Sequence, residues 1–342
     1  MQNKFWTLLI VALFTVFSFS CGGEQAKEEK KRPIKPTMNI NPVIDGLNVK
    51  IAQNPQDAGL YYQRANAFYE NDGYDEAIQD LQMAIGIDSL QADYYHLLAD
   101  VYLDYFNSRL ALKTMEMAAD LFPKRIPTLL KYSEFQHILR KHDESMETID
   151  QVLKLDPQNA EAYFMFGINF SELGDTSRSI NSFQEAVSIN PDLVDAWIKL
   201  GQLYSQMDNP LANKFFDNAV RVSPNNIEAL HAKADYQSEE GDLNAAVETF
   251  RKITEIAPQY EDAYFNMGLL YLDLDSIQKG YDHLNIAIKT SPTFIRAYYF
   301  RGVAAEMLGD KEGAKKDYEQ ALRMAPDYER AQQALQNLQS VQ

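Results

Sequence analysis

The sequence predicts an all-α fold in which antiparallel helix pairs stack into a solenoid. The main observation is a period: eight prolines and one serine recur every 34 residues, with a single interval of 33. They are Pro55, Ser89, Pro123, Pro157, Pro191, Pro224, Pro258, Pro292 and Pro326. A fixed period in this range is typical of stacked supersecondary units. Two further observations, small residues at fixed offsets and turn signals between them, predict two helices in each period.

Two places in each period always carry a small residue. Counted from the third residue after the proline, position 8 is Ala65, Ala99, Ser133, Gly167, Gly201, Ala234, Gly268 and Gly302. Position 20 is Ala77, Ala111, Ser145, Ser179, Ala212, Ala246, Gly280 and Ala314, with the fifth repeat realigned for its one-residue deletion. Small side chains let the two helices approach closely, and large ones at positions 4, 7, 11 and 24 fill the space around the contact.

Turn and cap signals separate the two helices of each repeat. They include Gly174-Asp175, Gly241-Asp242 and Gly309-Asp310. Glycine accepts the positive φ of a helix end, and aspartate caps the first amides of the next helix. The proline that follows the second helix cannot continue it.

The chemistry within a period matches a known pattern. Repeat 5 reads Trp197-x-x-Leu200-Gly201-x-x-Tyr204, followed by Ala212-x-x-x-Phe216 and Pro224. This resembles the tetratricopeptide repeat (TPR), and the resemblance implies a right-handed solenoid. We predict eight repeats at 58–91, 92–125, 126–159, 160–193, 194–226, 227–260, 261–294 and 295–328. Capping helices are expected at 42–57 and 329–342, because the open ends of a solenoid need polar covers.

A different signal governs the start of the chain. Lys4 precedes an apolar run of about 15 residues, too short to span a bilayer and suited to a secretory signal. Cys21, the only cysteine, lies where cleavage would fall. Residues 1–20 therefore resemble a bacterial lipoprotein signal peptide, in which the cysteine becomes the lipidated amino terminus, although Ser18 stands where leucine is usual. The alternative is a short uncleaved anchor or an incidental cysteine.

Residues 21–41 are rich in lysine, glutamate and proline and have nothing that could fill a core. We expect a disordered tether, whose lysines could also contact anionic head groups. Gly22 replaces the aspartate that retains some lipoproteins at the inner membrane. By analogy, the outer membrane of a bacterial envelope is the expected location.

Charge excludes one class of partner. The chain carries a net charge of −17 and has no basic stripe interleaved with aromatic residues, so nucleic acid is not expected to bind. A local basic run extends from the end of repeat 2 into repeat 3 and consists of Lys124, Arg125, Lys131, Arg140, Lys141 and His142. This run is either a docking patch for an acidic surface or, more commonly for such a run, a solvated face.

Catalytic constellations are sparse. The five histidines form no HExxH motif, and no glycine-rich phosphate loop is present. His96 and Asp100 share one helix face, and Glu134 and His137 lie at comparable positions in repeat 3. These four could bind a metal, but ordinary surface residues are the favoured interpretation. We expect neither enzyme activity nor a cofactor.

The resemblance implies where a partner binds. In TPR stacks the first helices line a concave wall, with positions 2, 5, 9 and 12 facing the groove. The candidate residues are Tyr62, Asn66, Asp93, His96, Asp100, Phe164, Asp195, Asp235, Asp262, Phe265 and Tyr299. Position 5 is never lysine, so the basic clamp that some family members use for acidic peptides is missing. An aromatic, acidic wall suits peptides or helices with basic and apolar residues. Alternatively, the aromatic residues pack between repeats and the acids keep the surface soluble.

Two function classes remain. The first is a lipid-anchored, non-catalytic scaffold that gathers protein partners in the bacterial envelope. The second is a fixed accessory subunit of a secretion, assembly or cell-wall machine. The sequence leaves the oligomeric state open.

Overall fold

The computed structural model describes residues 41–340, in which eighteen α-helices follow one another and no strand is present. The predicted signal peptide, Cys21 and all but the last residue of the predicted tether lie outside the described residues.

The helices form eight consecutive pairs with one further helix at each end. The first helices of the pairs are α2 (Ala58–Tyr69), α4 (Ala92–Asp104), α6 (Ile126–Ile138), α8 (Ala160–Glu172), α10 (Val194–Gln206), α12 (Ile227–Glu239), α14 (Glu261–Asp273) and α16 (Ile295–Met307). The second helices are α3 (Tyr74–Ile87), α5 (Ser108–Leu121), α7 (His142–Leu155), α9 (Thr176–Ile189), α11 (Leu211–Val222), α13 (Leu243–Ile256), α15 (Ile277–Thr290) and α17 (Lys311–Met324). The end helices are α1 (Pro42–Gln53) and α18 (Glu329–Ser340).

Packing follows chain order, which confirms the predicted all-α solenoid of helix pairs. Each first helix packs most extensively on the second helix of its own repeat, and each second helix packs on the first helix that follows. First helices also contact the first helices of neighbouring repeats in five places, whereas successive second helices have no contact of that extent in the described chain. The first helices therefore lie on the inner side of the stack.

Close contact at position 8 holds each pair together. A Cβ atom added to Gly201 would lie 2.6 Å from the ring of Phe216, and one added to Gly167 would lie 2.5 Å from the ring of Phe183. In both repeats the small residue at position 8 faces the large ring at position 24. The predicted role of the small residues is confirmed, because the ring fills the space that a side chain would occupy.

The turn between the two helices has one conformation throughout. Position 15 has a φ between 51° and 85° in all eight repeats, with glycine at Gly174, Gly241 and Gly309. Elsewhere it is aspartate, arginine or phenylalanine: Asp72, Phe106, Arg140, Asp208 and Asp275. After each of the three glycines an aspartate accepts a hydrogen bond from a backbone amide of the next helix, as the sequence predicts.

A hydrogen bond from position 4 explains part of the period. The Trp197 Nε1 group donates to the carbonyl oxygen of Pro191 at 2.8 Å, and tyrosines at position 4 donate to the equivalent carbonyl in four other repeats. Gln332 of α18 makes the same bond to Pro326 at 2.7 Å. The C-terminal helix therefore docks as the first helix of a ninth repeat, with exposed polar residues on its outer side.

Both ends of the stack contain the same ion-pair arrangement. Arg64 binds both carboxylate oxygens of Asp80, at 2.7 and 2.6 Å, and donates a third bond to Asn48 of α1. Repeat 8 reproduces this arrangement with Arg301, Asp317 and Asn285.

The helices of residues 41–340 are too short, or too polar, for any of them to span a lipid bilayer.

Candidate partner-binding groove

The inner face formed by the first helices carries the predicted site residues, but they differ in accessibility. Asp93, Asp195, Asp235 and Asp262 are exposed. Tyr62, Asn66, His96, Asp100, Phe164 and Tyr299 are half-buried, and Phe265 is buried. The groove is therefore not one uniform surface, and its parts have different chemistry.

At the junction of repeats 2 and 3 the groove carboxylates are already neutralised. Arg125 binds Asp93 at 2.9 Å, and Lys131 binds Asp100 at 2.8 Å. His96 lies between these pairs, with its Nε2 atom 3.0 Å from the Thr128 hydroxyl. The expected acidic wall is therefore wrong for this part of the groove, because repeat 2 and repeat 3 supply the counter-ions themselves.

The same contacts divide the basic run that extends from Lys124 to His142. Arg125 and Lys131 point into the groove, whereas Lys141 pairs with Glu144 at 2.8 Å. The Nδ1 atom of His142 lies 3.0 Å from the side-chain oxygen of the buried Asn169. Much of the run is thus engaged within the chain and does not form a single docking patch.

The aromatic residues at position 5 pack against other repeat residues. Phe265 is 1% exposed and contacts Phe294, with ring centroids 4.8 Å apart. Phe265 is therefore a core residue, and its prediction as a partner-facing residue is wrong. Tyr62 packs on Tyr94 at 5.1 Å and Phe164 on Phe183 at 5.5 Å.

Tyr299, the last of these aromatics, packs on Tyr328 with ring centroids 5.4 Å apart. For this set the structure favours the alternative in which position 5 fills space within and between repeats.

An open cleft lies on the inner face between α10 and α12. Its volume is about 420 Å³, and we call it the α10–α12 cleft. Its lining consists of Gln202, Ile227, Glu228, His231, Ala232, Asp235 and Tyr260. Ile227, Ala232 and the Tyr260 ring supply apolar surface, and Glu228 and Asp235 supply charge. A second hollow of about 190 Å³ shares Gln202, Ala232 and Asp235 and extends to Glu239. No lysine or arginine lines either one.

Hydrogen bonds orient the polar groups of the cleft. The Nδ1 atom of His231 lies 3.0 Å from a carboxylate oxygen of Asp235, and its Nε2 atom lies 3.4 Å from the Asn266 amide nitrogen. Since the amide nitrogen donates, His231 accepts at Nε2 and donates from Nδ1 to Asp235. That bond, opposed by burial and supported by the charges of Asp235 and Asp262, raises the pKa of His231 above its usual value.

The same carboxylates affect Tyr260. Burial is the largest cause that raises the pKa of the Tyr260 hydroxyl, and the negative charges of four carboxylates raise it further. These are Asp262, Asp235, Glu261 and Glu228. In the described chain, Glu228 and Asp262 form no ion pair with a lysine or arginine. The cleft is therefore an anionic site with an apolar wall.

Three of the four residues of the possible metal site, His96, Asp100 and His137, have other partners. Asp100 is bound by Lys131, and the Nδ1 atom of His137 lies 3.1 Å from the Asn169 side-chain oxygen. Within residues 41–340, no cluster of three or more histidine, cysteine, aspartate or glutamate side chains could hold a metal ion.

Sequence reasoning selected Asp235 and Asp262 but missed Tyr260. Tyr260 is the last residue of repeat 6 and lies outside positions 2, 5, 9 and 12, which are the positions that the TPR resemblance predicts to face the groove. The sequence does contain a signal for Tyr260. Repeats 2 and 6 carry similar acids at positions 2 and 9, but position 34 is Arg125 in repeat 2 and Tyr260 in repeat 6.

Comparisons with known proteins agree with this geometry. Family models described as "Tetratricopeptide repeat" match residues 160–193, 227–260 and 295–328, which are the bounds predicted for repeats 4, 6 and 8. The chain therefore contains tetratricopeptide repeats, and proteins of this class are generally non-catalytic scaffolds for protein interactions.

Among curated relatives, BBSome complex member BBS4 of Bos taurus is 23% identical over 223 residues, which is 54% of this chain and 42% of that protein. Protein FlbA of Caulobacter vibrioides is 24% identical over 174 residues, which is 51% of this chain and 29% of FlbA. The matched region thus spans less than half the length of these relatives.

Among solved structures, the APC/C hetero-tetramer Cut9-Hcn1 matches with a TM-score of 0.53 and 16% sequence identity. The match covers 86% of this chain and 58% of that chain. That likeness concerns the fold alone.

Proposed function

We propose that the protein is a non-catalytic adaptor lipoprotein of the bacterial cell envelope that binds protein partners on the inner face of its solenoid. The observation that carries the binding role is the α10–α12 cleft, which joins apolar surface to carboxylates that have no lysine or arginine beside them. Grooves of this kind suit an extended peptide or a helix whose basic and apolar residues alternate.

Support for the envelope location comes from the sequence. The apolar run before Cys21 and the small residues beside it fit a lipoprotein signal. Stable attachment needs several acyl chains, since each buried CH₂ contributes about 0.8 kcal/mol. Residues 21–41 would then connect the lipid to α1.

Intact mass tests the anchor. A mature chain that begins at Cys21 and carries added lipid mass is expected from bacterial membranes, and Cys21→Ser should carry none. A mature amino terminus at Cys21 without lipid would overturn the anchor. It would leave the binding role in place.

Purification in mild detergent tests the binding role. A partner that co-elutes with the wild-type chain should be lost when Glu228 and Asp235 are both changed to lysine. It should be retained when Glu185, an exposed residue of α9 on the other side of the stack, is changed to lysine. Equal capture by all three proteins would exclude the cleft as the binding surface. A fixed stoichiometry that survives salt would favour a permanent subunit over a transient adaptor.

A further inference from the structure

Repeats 2 and 6 carry the same acids and histidine on the inner face. Position 2 is Asp93 in repeat 2 and Glu228 in repeat 6, and position 9 is Asp100 in repeat 2 and Asp235 in repeat 6. Position 5 is histidine in both. The two junctions therefore present nearly identical anionic groups from their first helices.

The residues that face these acids differ. In repeat 2 position 34 is Arg125, and position 6 of the next repeat is Lys131. Their cationic groups lie 2.9 Å from Asp93 and 2.8 Å from Asp100. In repeat 6 the same two positions are Tyr260 and Asn266, which carry no charge at neutral pH.

Repeat 2 thus shows how this arrangement of acids binds an arginine and a lysine. Repeat 6 has the acids without these two cations, and there Asp235 accepts a hydrogen bond from His231 at 3.0 Å. In place of the arginine the structure has the α10–α12 cleft, with the Tyr260 ring as a wall. The guanidinium group of Arg296, at position 2 of repeat 8, lies 4.8 Å from the centre of the Phe265 ring, and Arg296 does not line the cleft.

We propose that the α10–α12 cleft binds the guanidinium group of an arginine from a protein partner, in the place that Arg125 occupies at the junction of repeats 2 and 3. The proposal rests on the proposed binding role of the inner face and specifies its ligand. Arginine fits better than lysine because its planar group can stack on Tyr260 while it bonds to both oxygens of a carboxylate. The apolar surface of Ile227 and Ala232 would accommodate the methylene stem.

A pair of peptides tests this directly on the purified full chain. The probes are fluorescein-labelled Ala-Leu-Arg-Leu-Ala and the same peptide with citrulline, which keeps the shape of arginine and lacks its charge. Fluorescence anisotropy should show that the arginine peptide binds about fivefold more tightly or better. A lysine peptide should fall between the two.

Variants locate the site. Asp235→Asn should remove the preference for arginine over citrulline, whereas Asp93→Asn should leave it, because Asp93 is already paired with Arg125. Tyr260→Arg combined with Asn266→Lys reproduces the cations of repeat 2 and should abolish arginine binding by filling the cleft. The converse pair, Arg125→Tyr with Lys131→Asn, should open a second site and raise the stoichiometry from one peptide to two. Far-UV circular dichroism checks that each variant is folded.

Equal affinity for the arginine and citrulline peptides, or undiminished arginine binding in the filled variant, would overturn the proposal. So would failure of both peptides to bind. None of these results excludes the broader binding role, since capture of a membrane partner by the wild-type chain and its loss on Glu228 and Asp235 reversal are measured separately.

Discussion

His96 and His231 occupy the same position in repeats 2 and 6, and the protein shifts their pKa values in opposite directions. Burial first, and then the charges of Arg125 and Lys131, lower the pKa of His96 to about 4. The hydrogen bond to Asp235 raises the pKa of His231 above its usual value. One inner face therefore contains a section whose carboxylates are neutralised by cations and a section that remains anionic.

The two histidines should titrate separately in an NMR experiment. The His231 signal is expected to change above pH 6.5, the usual histidine value, and the His96 signal near pH 4. His231→Asn and His96→Asn assign the signals. Two superimposed transitions near pH 6.5 would contradict the opposite pKa shifts of the two histidines.

Their effects on stability also have opposite signs. Since the folded pKa of His96 is lowered, its contribution is present above about pH 6.5 and is lost as the pH falls toward 4. Since the folded pKa of His231 is raised, its contribution is present below pH 6.5 and is lost as the pH rises past the folded value. In urea unfolding, His96→Asn should therefore reduce the loss of stability between pH 6.5 and 4.5, and His231→Asn should not.

Protonation of His231 should also compete with a cation in the α10–α12 cleft. When the pH falls from above to below the raised pKa of His231, the imidazole becomes charged beside Asp235 and makes the cleft less anionic. The arginine peptide should therefore bind more weakly at the lower pH. Binding at intermediate pH should release protons, which calorimetry in buffers of different ionisation enthalpy can measure. An unchanged affinity across this range would show that His231 does not share the site.

Helix contact at position 8 predicts a graded loss of stability. Gly201→Ala places its Cβ 2.6 Å from the Phe216 ring, and the overpacked contact should cost about 1–3 kcal/mol. Gly86→Ala is the matched control, because it lies in α3 with nothing within 4 Å of the added Cβ. It should stabilise the helix by about 0.5–1 kcal/mol. Equal melting temperatures for both variants would contradict the close contact.

The sequence predicted this contact because it is local and repeats eight times. The period, the small residues and the glycine turns all follow from residues within one repeat, such as Gly201 and Phe216. The groove depends instead on which residues of consecutive repeats meet. Asp93 and Glu228 look alike in sequence. The neutral site and the anionic one differ in the residues that face these acids, at position 34 and at position 6 of the next repeat. Phe265 is likewise buried by its neighbours in repeats 7 and 8. The position of a residue within its own repeat does not predict such contacts.

The terminal ion pairs should respond differently to single and double substitutions. Arg301→Leu leaves Asp317, whose side chain is 9% exposed, without its cation and should cost about 3–5 kcal/mol. Adding Asp317→Leu removes the unpaired charge and should recover much of that loss. Because repeats couple to their neighbours, hydrogen exchange should show unfolding that begins in repeat 8. A double variant as unstable as the sum of the singles would contradict the pairing.

Charge on the inner face should control the rate of association with a basic partner. Asp195 and Asp262 are exposed, and neither forms an ion pair within the described chain. Changing both to lysine reverses part of the field and should slow association while leaving dissociation nearly unchanged, since rim charges act mainly on encounter. The effect should fade at 1 M salt, where the screening length falls to about 3 Å. Stopped-flow binding of the arginine peptide measures this association rate.

The control is a variant in which Glu185 and Glu248, exposed acids on second helices, are both changed to lysine. This variant should change the association rate little. If the control slows association as much as the groove variant does, net charge and not the inner face steers the partner.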